Sequence, residues 1–318
     1  MPRVHTWPCN VDPRRSRTEV AIILLLVLLA ACVAAADSDM ALSLDSRVKL
    51  RRGTEMPLFG LGTWLSEGDG TCHAAVRVAL EHGYNLIDTA TMYKNEHDVG
   101  AAVRESGKRP FIVSKLAPED HGREKTLAAL DRTLADLGVD VLDLWLMHSP
   151  SGGSVVETWQ TMLECRDAGK VRAVGVSNTG PAQLEGLKAA GLEAPEVDQF
   201  ELHVWNQQKE AVAYCRANGI LVMSYCPLAR CKLFGSTALA KLAEDAGRSE
   251  AQLCIRWLLQ SGFVTIPKST STARIQANAD VFDWSLTPEQ MAQMDALDQT
   301  FFASNAVKAM WTPWEEVR

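Results

Sequence analysis

The sequence predicts an α/β chain of the (β/α)8 TIM-barrel class, with a short N-terminal β-hairpin closing the bottom of the barrel. Three observations carry that expectation. After Met40, short apolar runs alternate eight times with amphipathic helical patterns. The runs are continuous rather than cleanly alternating, as in a parallel sheet covered by helices. The nearest match to a dinucleotide fingerprint behind the first run, "GLGTWLSEG", lacks a helix start after its glycines, which disfavours the rival open, doubly wound sheet.

Taken in order, strands are expected at "PLFGLGTW", "NLIDTA", "FIVSKL", "VLDLWLMH", "VRAVGVSN", "EVDQFEL", "ILVMSYCPL" and "FVTIPKS". The intervening helices are "CHAAVRVALEHG", "NEHDVGAAVRES", "REKTLAALDRTLADLG", "VVETWQTMLECRDAG", "PAQLEGLKAAG", "KEAVAYCRANG" and the region 236–262. Gly83, Gly138, Gly169, Gly191, Gly219 and Gly262 each follow a helical pattern, where a C-terminal cap needs left-handed backbone. No low-complexity linker divides residues 41–318, so they read as one barrel domain.

The leader is different. In residues 1–36, Arg14, Arg15 and Arg17 precede the apolar run of residues 20–36, and Ala34, Ala35 and Ala36 offer small residues for cleavage. As a helix the run would be only about 26 Å long, short of a hydrocarbon core of about 30 Å. A cleaved signal sequence is therefore favoured over a retained anchor, and a start at Met40 is the third possibility. The first outcome places the protein in the secretory pathway or endoplasmic reticulum lumen, and the last in the cytoplasm. Membrane association follows only if residues 20–36 are retained. "LAAC" resembles a lipoprotein acylation box, but the long region before it argues otherwise.

At 318 residues, 47% hydrophobic, the chain can bury a large core, and its net charge of −7 without a basic block argues against nucleic-acid binding. The eight cysteines, Cys9 and Cys32 in the leader among them, show no paired spacing, so neither a disulfide scaffold nor a metal site is expected. Nothing in the sequence argues for an oligomer, and a monomer is expected.

In a barrel of this class, reactive groups sit at the C-terminal ends of the strands. There the sequence places Asp88, Lys115, His148, Ser177 with Asn178, Gln199, Tyr225 and Lys268. Each alone has a bland reading as a turn cap or a satisfied structural residue. A lysine closing an apolar strand is odder, because a buried unpaired ammonium costs several kcal/mol. Asp88 on the neighbouring strand is its natural partner. Tyr93 follows in the turn of "IDTATMYKNE". A lysine about 4 Å away, at an effective dielectric of about 20, would favour its phenolate by about 4 kcal/mol before desolvation and Asp88 oppose it. That lowering would bring Tyr93 into range for acid–base work. Neutral His148 would align a substrate carbonyl with Tyr93, so the quartet is built to protonate an alkoxide as it forms.

These stretches carry a family resemblance. "GYNLIDTATMYKNEHDVG", "LWLMHSP", "GKVRAVGVSN" and "IPKSTSTARIQAN" resemble signature segments of the aldo-keto reductase superfamily, and the likeness runs from residue 41 to about residue 300. The five residues from Asp88 to Tyr93 and the 33 from Lys115 to His148 agree with its pattern. The resemblance implies a barrel that binds NADPH/NADP+ across its mouth, needs no metal, and reduces small aldehydes or ketones to alcohols, an alcohol dehydrogenase (NADP+) type of activity. It makes Tyr93 the general acid, Lys115 and Asp88 its tuning pair, and His148 the carbonyl-orienting donor. It gives Ser177, Asn178 and Gln199 the nicotinamide carboxamide, Tyr225 the ring face and Leu228 the pyrophosphate path. Lys268, Ser269 and Arg274 would grip the 2′-phosphate, favouring NADPH over NADH, with Asn278 near the adenine and Trp64 in the substrate pocket.

There are departures from that pattern. Ala277 stands where many members have glutamate, Cys226 replaces a common serine, "PLARCKLFG" is an unusual phosphate-side loop, and both "SPSGGSVVETW" and the C-terminal tail are short. The short segments should leave the substrate mouth open. Trp311 or Trp314 would either fold over the pocket or pack outside the barrel, and Cys226 and Cys231 read as ordinary packing ahead of a redox role. Two rival functions stand beside the reductase. One is an NADPH-binding regulatory module resembling the potassium-channel β subunits, with little turnover. The other is a hydrolase with Glu201 as acid, which lacks a second carboxylate to pair with it.

Overall fold

Side chains two residues apart on a strand share a face, and in this chain each inward face carries apolar residues low in the barrel and a polar residue near its end. A computed structural model describes residues 42–318; the signal-like run of residues 20–36, the start at Met40, Cys9 and Cys32 lie outside the described residues. Ser43–Arg318 is one compact unit. The hairpin strands are β1 (Arg47–Lys49) and β2 (Glu55–Pro57), antiparallel with Val48 opposite Met56. The barrel strands are β3 (Leu61–Gly62), β4 (Leu86–Asp88), β5 (Phe111–Leu116), β6 (Leu142–Met147), β7 (Val171–Ser177), β8 (Val197–Glu201), β9 (Leu221–Tyr225) and β10 (Val264–Thr265). They pair in parallel and in sequence order. Parallel bridges from Phe59 to Thr265 and from Gly62 to Lys268 bring the last strand against the first.

Closure explains two strands that are shorter than their apolar runs. Pro267 brings no N–H to a ladder, so pairing beside it is interrupted. The closure is carried by single bonds, from Thr265 N to the Leu58 carbonyl at 3.0 Å, from Gly60 N to the Thr265 carbonyl at 3.1 Å and from Gly62 N to the Pro267 carbonyl at 3.3 Å. A Cβ on Gly62 would lie 2.8 Å from the Ile266 carbonyl oxygen, so only glycine lets the two ends meet there.

Leu50 and Met56 of the hairpin join Leu86, Phe111, Val113, Leu144, Leu146, Ala173, Val197, Met223, Val264 and Ile266 in one buried cluster. The hairpin thus plugs the bottom, as expected. The capping glycines Gly83, Gly138, Gly169, Gly191, Gly219 and Gly262 all take positive φ. The region 236–262 is two helices, Thr237–Ala246 and Glu250–Gln260, parted at Gly247 and restarted by a capping box between Ser249 and Gln252. Helices Thr272–Ala279 and Pro288–Asp295 go beyond the sequence reading. The second had a legible signal, since Thr287 and Gln290 form another capping box around Pro288. Among the described residues no helix is long and apolar enough to cross a membrane.

Candidate active site

The inward face of β4 runs from Leu86 to Asp88, that of β5 from Phe111 through Val113 to Lys115, and that of β6 from Leu144 through Leu146 towards His148. Two-residue alternation therefore lifts three reactive groups from the apolar core to the barrel mouth. Tyr93 arrives by a turn. The chain after β4 forms a short 3-10 helix, Thr91–Tyr93, ended by Lys94 at φ 55°. Asn95 anchors this turn, accepting from the Thr89 hydroxyl at 2.7 Å and donating to the carbonyls of Thr63 and Ser66 at 3.1 and 2.8 Å. The Thr91 hydroxyl donates to the Lys115 carbonyl at 3.2 Å.

The four groups meet. Lys115 is 0% exposed, and its Nζ donates to Asp88 Oδ1 at 2.6 Å, to the Thr89 carbonyl at 2.8 Å and to the Tyr93 hydroxyl at 3.3 Å. The rings of Tyr93 and His148 stand edge to face, centroids 5.7 Å apart. Asp88 Oδ2 accepts from Gln199 Nε2 at 2.8 Å, so one carboxylate joins the acid side of the site to the strand β8 side.

Burial dominates the electrostatics. It pushes the Asp88 carboxyl up and the Lys115 ammonium down, each against the attraction of the other. Tyr93 is raised well above the ordinary phenol value by burial, then by Asp88, Tyr225 and Cys226. The lowering by Lys115 expected from Coulomb attraction alone is thus outweighed, because the phenolate would have to form in a partly enclosed site beside a carboxylate. Tyr93 is a held, protonated phenol with a lysine N–H already on its oxygen. His148 is pushed down to about 3, by burial and then by Lys115, and is neutral at physiological pH. Its Nδ1 is buried with no hydrogen-bond partner among the described residues. An Nδ1–H would have nothing to donate to, which favours the tautomer carrying its proton on Nε2.

Around these groups lies a cavity of ≈600 Å³. Asp88, Tyr93, His148, Ser177, Asn178, Gln199, Tyr225, Leu228, Lys268, Arg274 and Trp64 all line it, as the sequence positions suggested. Ser269 and Asn278 are buried and do not reach its surface; the Ser269 hydroxyl instead caps Ser271 N at 3.1 Å and receives Arg274 Nε at 3.4 Å. The Asn178 amide is already engaged, donating to the His148 carbonyl and the Ser177 hydroxyl and accepting from the Tyr225 hydroxyl at 2.7 Å. Ser177 donates to the Gln199 carbonyl at 2.7 Å.

The donor set suits a phosphorylated dinucleotide. Lys268 is pushed below its usual value by burial and by neighbouring Arg274, and no carboxylate among the described residues pairs with either cation. Two crowded cations without an anion make a phosphate-sized demand for negative charge. Tyr225 lines the same cavity as these cations and the reactive groups.

Several cavity residues escaped the sequence reading. Arg230 lies with its guanidinium 4.4 Å from the Trp64 ring centroid. The chain carrying it arches through left-handed backbone at Cys226, Ala229, Arg230 and Cys231, a loop without glycine and thus without the usual marker. Ser304 and Ala306 of the C-terminal segment also line the cavity. The tail tryptophans do not: Trp314 packs on Gly186 outside the barrel, and Trp311 is 51% exposed. Glu201, weighed as a hydrolase acid, is 0% exposed and held by backbone N–H groups of that segment, so it cannot reach a substrate. Cys72, Cys165, Cys215, Cys226, Cys231 and Cys254 are free thiols. Burial raises Cys226 to about 11 and also lifts Cys231, which leaves little thiolate for redox chemistry. Among the described residues no cluster could hold a metal.

A family model described as "Aldo/keto reductase family" matches residues 59–299. A glyoxal reductase of Bacillus subtilis is 42% identical over 263 residues, covering 82% of this chain and 95% of that one. A morphine 6-dehydrogenase of Pseudomonas putida is 37% identical, covering 79% of this chain and 90% of that one. The crystal structure of a Bombyx mori aldo-keto reductase in complex with NADP superposes with a TM-score of 0.78 at 30% identity, covering 86% of this chain and 99% of that one.

Proposed function

The chain belongs to the aldo/keto reductase family, and on that premise we propose that it reduces aldehyde or ketone carbonyls to alcohols with NADPH. The observation that carries the reading is one lysine touching both Asp88 and Tyr93, at 2.6 and 3.3 Å, at the floor of a cavity that His148 also faces. Bound along the cavity, NADPH supplies the hydride that reduces the carbonyl carbon. Lys268 and Arg274 would hold its 2′-phosphate, Leu228 would lie along the pyrophosphate, and Tyr225 with Ser177, Asn178 and Gln199 would hold the nicotinamide end.

The protein's own residues handle the oxygen. As negative charge develops there, Tyr93 releases its proton to it, and the Lys115 N–H already on the phenolic oxygen stabilises the phenolate left behind. Asp88 keeps Lys115 charged and aimed. Neutral His148 donates Nε2–H to the same oxygen and aligns it with Tyr93. Trp64, Leu65, Met92 and Ile266 line the cavity with apolar surface, so little water competes for these bonds.

The test is NADPH consumption with a panel of aldehydes, ketones and short dicarbonyls, glyoxal among them after the Bacillus relative, for wild type and Tyr93→Phe. The variant should lose about 10²–10⁴-fold in kcat while binding NADPH as tightly as wild type. Equal, slow turnover by both proteins with tight NADPH binding would instead support a regulatory binding module. Absence of NADPH binding to either would end the reading.

A further inference from the structure

We propose that Glu201 is a positioning residue that fixes the C-terminal segment 301–306 as the outer wall of the carbonyl cavity, and through that wall sets how large a substrate is accepted. The inference rests on the reductase reading above and names a determinant of its substrate range.

Strand β8 presents Val197, Gln199 and Glu201 on its inward face, one above another. Val197 belongs to the barrel core and Gln199 contacts Asp88, which puts Glu201 one layer higher, above the reactive groups. Its carboxylate is fully enclosed, with no Lys or Arg on it. Oε1 accepts from Ala303 N at 2.5 Å and from His203 Nε2 at 3.1 Å, and Oε2 accepts from Ser304 N at 2.7 Å. Two consecutive backbone N–H groups thus converge on one buried carboxylate, a charge-assisted pair of bonds.

The place of those bonds makes them consequential. Before them, Gln299 N and Phe301 N donate to the Trp205 carbonyl at 3.2 and 2.9 Å. After them, Gln183 Nε2 donates to the carbonyls of Ala309 and Thr312 at 2.8 and 2.9 Å. Between these anchors the segment turns to the cavity and exposes Ser304 and Ala306 to it. There the side chains that reach its backbone from the barrel are Glu201 and Lys232, the latter donating to the Ala303 carbonyl at 3.3 Å. Glu201 itself does not line the cavity, so its influence passes through the segment it holds.

Glu201→Gln keeps the side chain's shape but turns one acceptor into a donor that faces a backbone N–H. Exchange of the Ala303 and Ser304 amide hydrogens should quicken about tenfold or more once an acceptor is lost. The ratio of kcat/KM for a bulky aromatic ketone to that for a short aldehyde should shift about tenfold, and the shift should lie in KM. Unchanged amide exchange overturns the proposal, as does a uniform change in both substrates and in NADPH affinity. Should Glu201→Gln not fold, Ala306→Leu fills the wall without touching the carboxylate and should raise KM for the bulky substrate; an unchanged KM there overturns it. Wild type that reduces no carbonyl would sink the reductase reading, while the amide exchange still decides whether Glu201 holds the segment.

Discussion

The barrel has a cavity at each end, and both are built around a buried carboxylate with a basic partner. At the mouth, Asp88 meets Lys115 at 2.6 Å with side-chain exposures of 3% and 0%. At the bottom, a cavity of ≈500 Å³ is lined by Arg47, Arg52, Arg109, Arg172, Glu55 and Asp143. There Asp143 accepts from Arg109 at 2.8 Å, Arg172 at 3.0 Å and Ile112 N at 2.9 Å. Its own exposure is 9%, but its arginines are 52% and 54% exposed. The arginines of the bottom network are open to solvent, whereas the Asp88–Lys115 pair at the mouth is enclosed. Similar ion pairing therefore does different things: the open pair staples strand beginnings, and the closed pair holds an ammonium against a phenol at a cost in desolvation. Strain of this kind belongs where chemistry happens.

The comparison breaks most visibly at Lys115. Lys115→Met should reduce kcat by about 10²–10⁴-fold, as loss of an acid–base partner does. It should also destabilise the fold by about 3–5 kcal/mol by stranding Asp88, and the double variant with Asp88→Asn should be more stable than Lys115→Met alone. Chemical denaturation and steady-state rates on the three proteins check both statements; equal stability of single and double variants would mean the pair is not the source of the cost.

A smaller effect is expected at the other end. Asp143→Asn should lower stability by about 1–3 kcal/mol, because two arginines and a buried N–H lose a charged acceptor. It should leave kcat/KM for the carbonyl as it was. If turnover fell as well, the bottom would be coupled to the mouth and the division of labour drawn above would be wrong.

The smallest effect concerns pH. His148 falls to about 3 and Tyr93 rises above the phenol value, so neither changes charge between pH 5 and pH 9. On the acid side His148 stays neutral until pH approaches its folded value, and on the basic side Tyr93 keeps its proton. The rate of carbonyl reduction under saturating NADPH should therefore vary by less than about twofold across that window. A sharp break near the ordinary histidine value of about 6.5 would show that the imidazole titrates in the working enzyme.

The barrel and its reactive quartet were legible in the sequence for a physical reason. A lysine that ends an apolar strand has to find an acid, and the strand order leaves Asp88 beside it. Strand alternation then puts His148, Ser177 and Gln199 on the same inward face. What was not legible belongs to loops. Arg230 sits on left-handed backbone without a glycine to mark it, and its neighbour Trp64 comes from the loop after β3, 166 residues earlier in the chain. Ser304 and Ala306 reach the cavity from a segment whose backbone bonds Glu201, a contact 102 residues apart in the chain for Ala303. The upward shift of Tyr93 was not legible for a related reason: its attraction to Lys115 can be read from spacing, whereas the enclosure of its hydroxyl exists only after folding.

The stacking of Arg230 on Trp64 gives the molecule an instrument of its own. An indole that is 36% exposed, with a cation 4.4 Å from its centre, is tuned by that charge. Anything that enters the cavity beside them must either leave the guanidinium in place or draw it away, and the part of the tryptophan emission that Trp64→Phe removes should tell the two events apart. Occupancy of the mouth can then be followed by light, before any substrate has been turned over and without a label.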